Sequence, residues 1–467
     1  MYKKCSADIE RLLSNLDKEQ LCDFIRRECA GSEQLQKRFM ELDRRGVSGF
    51  KYQETQSLVE EMIENYAWQR GYVECSDAFA LNRAICAILD DVDVAIKDQR
   101  WDEAMAILEG VSAAAEDIIS CGDDSTGMLG NIVENCFAKW LELCGSKVLP
   151  AEVQTRIFNL SIDYFSKGHL KGFDWWWSWI EMAVLLADTS KKQECIIRIL
   201  DNIVAVESDD WSIEYNARMA KQYKLALMSK CGTVEEQLKF MYDNVDVPDF
   251  RNKLLTMAWD RGDYDEVLRL AQDGVKCDSE RYGLVSDWRK WELKVYRHKD
   301  DRVNAVKVAQ YFFFTFGGFG EKEYTMENMY ALMKSLVPQG EWGVFVDSLA
   351  REAWLQKDNE RLSFIYTQEK MWAKYIDYLR NVPTLYNLDA APQELIELYK
   401  GEFISMYASS VRDFLQSASN RNSYCEGVVL LRKLIGYGGR VEAEDIVAEQ
   451  KIRKPRRPAL LDELSKL

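Results

Sequence analysis

The chain has 467 residues, 47% of them hydrophobic, with 77 acidic against 61 basic side chains and a formal charge of −16. This length exceeds one compact core and the apolar content excludes general disorder, so several domains or an extended repeat fold are expected. The acidity repels phosphate backbones and anionic lipid at long range, which argues against non-specific nucleic-acid binding.

Leu16 to Ala30 reads as the first clear helix, with Asp17 as its cap, Gln20 three residues on, and Leu21, Phe24 and Ile25 on one face. Cys22 and Cys29 fall two turns apart on that helix. Helices near Glu33 to Leu42 and Tyr52 to Gln69 follow, with Gly71 as a stop. This block, residues 1–72, is expected to be a small N-terminal bundle.

From Ser76 the helices lengthen, and one signature recurs. An apolar helix ends in a short polar break, and a second helix opens at once with a carboxylate or hydroxyl cap. The clearest copy runs Leu254 to Ala271 (LLTMAWD, RGDYDE, VLRLA). Others span Asp98 to Leu108, Ser229 to Met241, Arg297 to Ala309, Pro338 to Ala350 and Leu355 to Tyr366. In the densest region the copies lie about 30 to 40 residues apart, the period of tetratricopeptide-like arrays. Such a pair cannot bury its apolar side alone and must share it with the next pair. The expected fold is therefore all-α, an α-α superhelix of tetratricopeptide-like helical hairpins over 73–450, closed by a basic linker and short helix at 451–467. Seven prolines are present, none before Pro150, and Pro150, Pro248 and Pro392 sit immediately ahead of amphipathic runs.

The residues that stand out for function are few. Asp123 and Asp124, in CGDDSTG, form the most conspicuous acidic loop. Capping of the next helix is the expected role, with a cation or partner contact as the alternative. Four tryptophans, Trp175, Trp176, Trp177 and Trp179, fall in one helix. A helical wheel places Asp174, Ser178, Glu181 and Asp188 on one stripe, with Trp177 at its edge as the most exposed of the indoles. Core or inter-repeat packing is the expected role of the tryptophans, with a peptide or base contact through Trp177 as the alternative. Tyr311 to Phe316 (YFFFTF), followed by GGFG, reads as a buried helix ending at a loop. Lys451, Arg453, Lys454, Arg456 and Arg457 are the dense basic cluster. A solvated linker, docking on the protein's own carboxylates, or a phosphate contact are its three readings.

No catalytic residue, cofactor or metal is expected. Twelve cysteines show no C-x-C or C-x-x-C spacing, and the two histidines, His169 and His298, are far apart. GGFGEK fits neither a phosphate-binding nor a dinucleotide-binding loop. No apolar run approaches the roughly 18 to 20 residues of a membrane span, so a cytoplasmic protein without membrane contact is expected.

The order of segments resembles the long helical region of bacterial SWIM zinc-finger proteins and their zinc-less relatives. The matching pieces are LDKEQLCDFIRRECAGSEQLQKRFM, DQRWDEAMAILEG with GDDSTG, RGDYDEVLRLAQDG, and YCEGVVLLRKLIGYGG with KPRRPALLDELSKL. The C-x-C and C-x-H signature of the finger is missing, so no metal role carries over. The resemblance implies a helical repeat module that accompanies a nucleic-acid- or protein-binding finger. A scaffold or adaptor for another protein is the expected function, with a nucleic-acid-associated factor or a hydrolase with a cryptic site as alternatives.

Overall fold

The computed structural model describes residues 16–31, 52–67, 72–206, 210–315 and 322–467. The helix expected near 33–42 and the GGFG segment after Thr315 lie outside the described residues. Among the described residues the secondary structure is helical, apart from a single parallel bridge between Val73 and Gly122. The chain divides into two compact units, Met1–Val247 and Pro248–Leu467.

The first unit contains α1 (Lys18–Gly31), α2 (Tyr52–Tyr66), α3 (Cys75–Lys97), α4 (Trp101–Ala113), α5 (Ala115–Ser120) and α6 (Met128–Gly145). It continues with α7 (Ala151–Lys167), α8 (Trp175–Leu185), α9 (Ser190–Val204), α10 (Trp211–Cys231) and α11 (Val234–Asp243). Asp17 and Gln20 exchange backbone-to-side-chain hydrogen bonds at 2.8 and 3.0 Å, the reciprocal cap expected for α1. The boundary expected near residue 72 is not observed. α2 packs on α3 and α4 and buries Thr55 and Val59 completely, so it belongs to the same core as the longer helices. Gly110 of α4 permits that approach, since a Cβ there would lie 2.6 Å from the carbonyl of Tyr52.

The second unit opens with α12 (Pro248–Asp260), α13 (Tyr264–Cys277), α14 (Tyr282–His298), α15 (Arg302–Thr315), α16 (Met326–Leu336) and α17 (Gln339–Leu355). After these come α18 (Asn359–Gln368), α19 (Trp372–Asn381), α20 (Leu385–Asp389), α21 (Gln393–Leu398), α22 (Lys400–Ser417), α23 (Arg421–Gly436), α24 (Arg440–Ile452) and α25 (Pro458–Leu464). Successive helices α12 to α16 pack each on the next, as do α17 to α19. The C-terminal segment is an integral part of this unit. α25 packs on α23, and Leu460 and Leu464 are buried.

Among the described residues one left-handed turn joins consecutive helices six times. At Gln99, Gly262, Asp300, Lys357, Lys370 and Gly438 the backbone takes a positive φ between 52° and 99°. The residue after each donates its N–H, at 2.8 or 2.9 Å, to the carbonyl five residues earlier, on Ala95, Ala258, Tyr296, Ala353, Tyr366 and Leu434 respectively. This left-handed C-terminal cap satisfies carbonyls that the helix leaves open. The next helix begins two residues after the left-handed one each time. Four of the six breaks marked in the sequence use this turn. The other two differ: Thr233 and Glu236 form a capping box ahead of α11, and Pro338 precedes α17 in extended backbone.

Candidate functional site

The residues singled out in the first unit are structural in their contacts. The Cys121–Gly127 loop is held to Val73, whose N–H donates to the carbonyl of Cys121 at 2.8 Å and whose carbonyl accepts from Asp123 at 3.1 Å. Asp123 Oδ1 accepts the N–H of Ser125 at 2.9 Å. Asp124 takes two orphan donors at the start of α6, Leu129 on Oδ1 at 2.7 Å and Gly130 on Oδ2 at 2.9 Å. His169 is enclosed: Nε2 lies 2.7 Å from the carbonyl of Ser112, and Nδ1 lies 3.3 Å from Glu116 Oε1.

Trp177 corrects the helical wheel. It is 2% exposed, and its ring lies parallel to Tyr223 of α10 at 5.5 Å and 9°. α8 packs against α6, α7, α9 and α10, while on the stripe assigned to solvent Asp174 and Asp188 are exposed and Ser178 and Glu181 are half-buried. Asp174 on that stripe accepts the Tyr215 hydroxyl at 2.6 Å. Glu181, half-buried, has its carboxyl pushed above the usual carboxylate range by desolvation.

The basic cluster of the second unit is split by its contacts. Arg457 is tied down, donating to the carbonyls of Ala418 at 2.8 Å and Leu415 at 2.9 Å and to Gln450 Oε1 at 3.1 Å. It thus closes the C-terminus of α22, where a cation is favoured. Lys451, Arg453, Lys454 and Arg456 form no ion pair among the described residues. This cluster belongs to the second unit, and Asp123, Asp124 and Trp177 belong to the first.

Among the described residues the second unit has an open cleft of about 520 Å³, within the range of ligand-binding pockets. One face of α14 forms its wall, with Asp287, Lys290, Trp291, Lys294 and Arg297 at helical spacing. Asn252 of α12 and Glu323 and Tyr324 ahead of α16 complete it. Lys290 is 2.9 Å from Asp287 Oδ1, and Arg297 is 3.9 Å from Glu323 Oε1. Lys294 is different. Its ammonium lies 3.9 Å from the ring centroid of Trp259 and 4.4 Å from that of Trp291, and it pairs with no carboxylate among the described residues. Two indole faces hold the charge in place without neutralising it.

The wall is kept rigid from behind. Arg251, 2% exposed, donates Nη1 to the carbonyl of Leu270 at 2.8 Å and lies 5.6 Å over Trp288, whose indole N–H donates to Asp278 at 2.8 Å. Gly274 is required at that crossing, because a Cβ would meet Trp288 at 2.8 Å and Arg251 at 2.9 Å. Glu292 is buried and accepts Arg289 Nη1 at 2.8 Å, and burial raises its pKa. The sequence reading missed this cleft. A Trp-x-x-Lys pair at 291–294 was visible, but Trp259 comes from another helix, and no spacing rule joins it to Lys294.

No metal-holding group of three or more His, Cys, Asp or Glu occurs among the described residues, and no helix among them is long and apolar enough to cross a membrane. No family model and no curated protein matches the chain. A solved circular tandem repeat protein, described as having a novel repeat topology and enhanced subunit contact surfaces, is similar over 89% of this chain and 93% of its own, at 14% identity and a TM-score of 0.22. So low a TM-score carries no argument, and the all-α assignment rests on the helices themselves.

Proposed function

We propose that this chain is a non-enzymatic helical scaffold that binds another protein, and that the α14 cleft is its docking point for an acidic segment. The observation that carries this reading is Lys294, an unneutralised cation fixed between Trp259 and Trp291. Tryptophan and arginine dominate binding energy at interfaces, and a pre-placed cation loses little freedom when a carboxylate arrives. Calorimetric titration of the full chain with a short glutamate-rich peptide tests it. Lys294→Ala is expected to weaken binding by roughly tenfold with the fold unchanged. Equal binding by wild type and variant would remove the cleft from the proposal.

A second reading, a nucleic-acid-associated accessory factor, is favoured by the four unpaired cations Lys451, Arg453, Lys454 and Arg456 and by the resemblance to SWIM-type proteins. It requires salt-sensitive binding of a single-stranded oligonucleotide, with a log–log salt slope of about −0.7 per phosphate contacted. That slope must vanish when the four residues are changed to Gln. A slope unaltered by those changes eliminates this reading.

A further inference from the structure

The first unit carries a second, chemically opposite surface. Trp211, the first residue of α10, is 74% exposed, and Phe173, just ahead of α8, is 44% exposed. They belong to one run of rings. Trp211 stacks on Tyr215 at 5.5 Å and 24°, and the Tyr215 hydroxyl donates to Asp174 at 2.6 Å. The residues on either side of Asp174, Phe173 and Trp175, stack on each other at 5.8 Å and 29°. Trp175 also closes against α6, because a Cβ on Gly130 would lie 3.2 Å from its Cη2 and 3.1 Å from Asp124 Oδ2. Single exposed apolar residues need no explanation, but a connected aromatic face with hydrogen-bonding tips has the composition of an interaction surface.

We infer that this face binds a basic, arginine- or lysine-bearing segment of another protein, with Trp211 as the ring on which the cation stacks. Charge complementarity selects this occupant. Asp174 lies within the face and Asp210 immediately precedes Trp211, in a chain whose net charge is −16. Such a field attracts cations and repels phosphate. The chain itself shows the contact in miniature: the guanidinium of Arg218 lies 5.3 Å over Tyr215, and the Lys171 ammonium 5.6 Å over Trp176. Trp211, the most exposed tryptophan among the described residues, has no cation over it among them. This inference is independent of the α14 cleft, which lies in the other unit and favours the opposite charge.

The test titrates the full chain with a short arginine–glycine peptide and, separately, a glutamate–glycine peptide, by calorimetry. Trp211→Ala is expected to weaken arginine–glycine binding by about tenfold, and Trp211→Phe to retain most of it. Asp174→Asn is expected to weaken it at low salt and much less at high salt. Glu444→Gln, an equal change of charge at an exposed position of the other unit, is expected to leave the affinity within about twofold. Unchanged hydrogen-exchange protection of α8 and α10 shows that the variants fold. Absence of wild-type binding, equal binding by Trp211→Ala, or an equal loss in Glu444→Gln would overturn the inference, the last two by showing that net charge alone holds the peptide.

Discussion

Trp177 separates the structure from the helical wheel most sharply. A surface indole at the edge of a polar stripe changes stability little when truncated, within about 0.5 kcal/mol. The structure buries it instead, stacked on Tyr223 at 5.5 Å and tilted against Phe165 and Trp176 at 5.5 and 5.1 Å. Fully burying a tryptophan removes on the order of 200 Å² from water, worth about 5 kcal/mol as an upper bound at roughly 25 cal/mol per Å². Alanine keeps a small part of that burial, so a loss of about 3 to 5 kcal/mol is expected for Trp177→Ala. Trp177→Phe behaves differently. The Trp177 indole N–H is buried and has no hydrogen-bond partner among the described residues, so removing it relieves a penalty of about 1 to 3 kcal/mol. That relief opposes the lost packing, and the net change is expected to stay near 1 kcal/mol or below.

A single melting temperature is poorly defined for a chain of two units, so hydrogen exchange is the suitable assay. Amides of α8 and α10 are expected to lose protection in Trp177→Ala, while those of α22 and α23 in the other unit serve as the internal reference. Protection of α8 and α10 unchanged in Trp177→Ala would refute the roofing of this helix by α10.

Two further outcomes follow from the turns and the C-terminal helix. Gln99 and Lys357 hold left-handed backbone at φ 57° each, so Gln99→Gly and Lys357→Gly are each expected to stabilise their unit by about 0.5 to 1 kcal/mol, read by the same exchange experiment; destabilisation by either would contradict the turn assignment. Lys466 and then Arg421 hold the Glu463 carboxyl well below the ordinary value, at about 2. A depressed carboxylate stabilises the fold fully above its unfolded pKa of roughly 4.3 and ceases to do so as pH falls through the folded value. Exchange protection of α25 is therefore expected to fall between about pH 4 and pH 2 in the wild type and to be much flatter in Glu463→Gln, and parallel profiles would exclude this residue as the cause.

The all-α class and the polar breaks were legible because both are local properties. Helical periodicity marks which residues share a side, and Asp17, Thr233, Asp263 and Asp358 cap their helices through their own side chains. What covers a helix is not local. Trp177 at the edge of the polar stripe reads as solvent-facing until Tyr223 of α10, which begins at Trp211, lies over it. The same limit hid the cage around Lys294, whose two indoles come from α12 and α14.

The turns at Lys370 and Gly438 show the limit from the other direction, and they explain why the breaks lack a fixed sequence. The left-handed position is Gln, Gly, Asp, Lys, Lys and Gly along the chain, so no residue type marks it. What the six turns share lies five residues before the closing N–H, where Ala95, Ala258, Tyr296, Ala353, Tyr366 and Leu434 are all buried. A carbonyl at that position is among those the helix end leaves without an intrahelical partner, and the turn supplies its hydrogen bond. The strain of a left-handed Lys or Asp, about 1 to 2 kcal/mol, is offset by satisfying that carbonyl and by the packing of the next helix against the same core. The break is therefore specified by where the apolar side of the preceding helix ends rather than by the residues that form the turn.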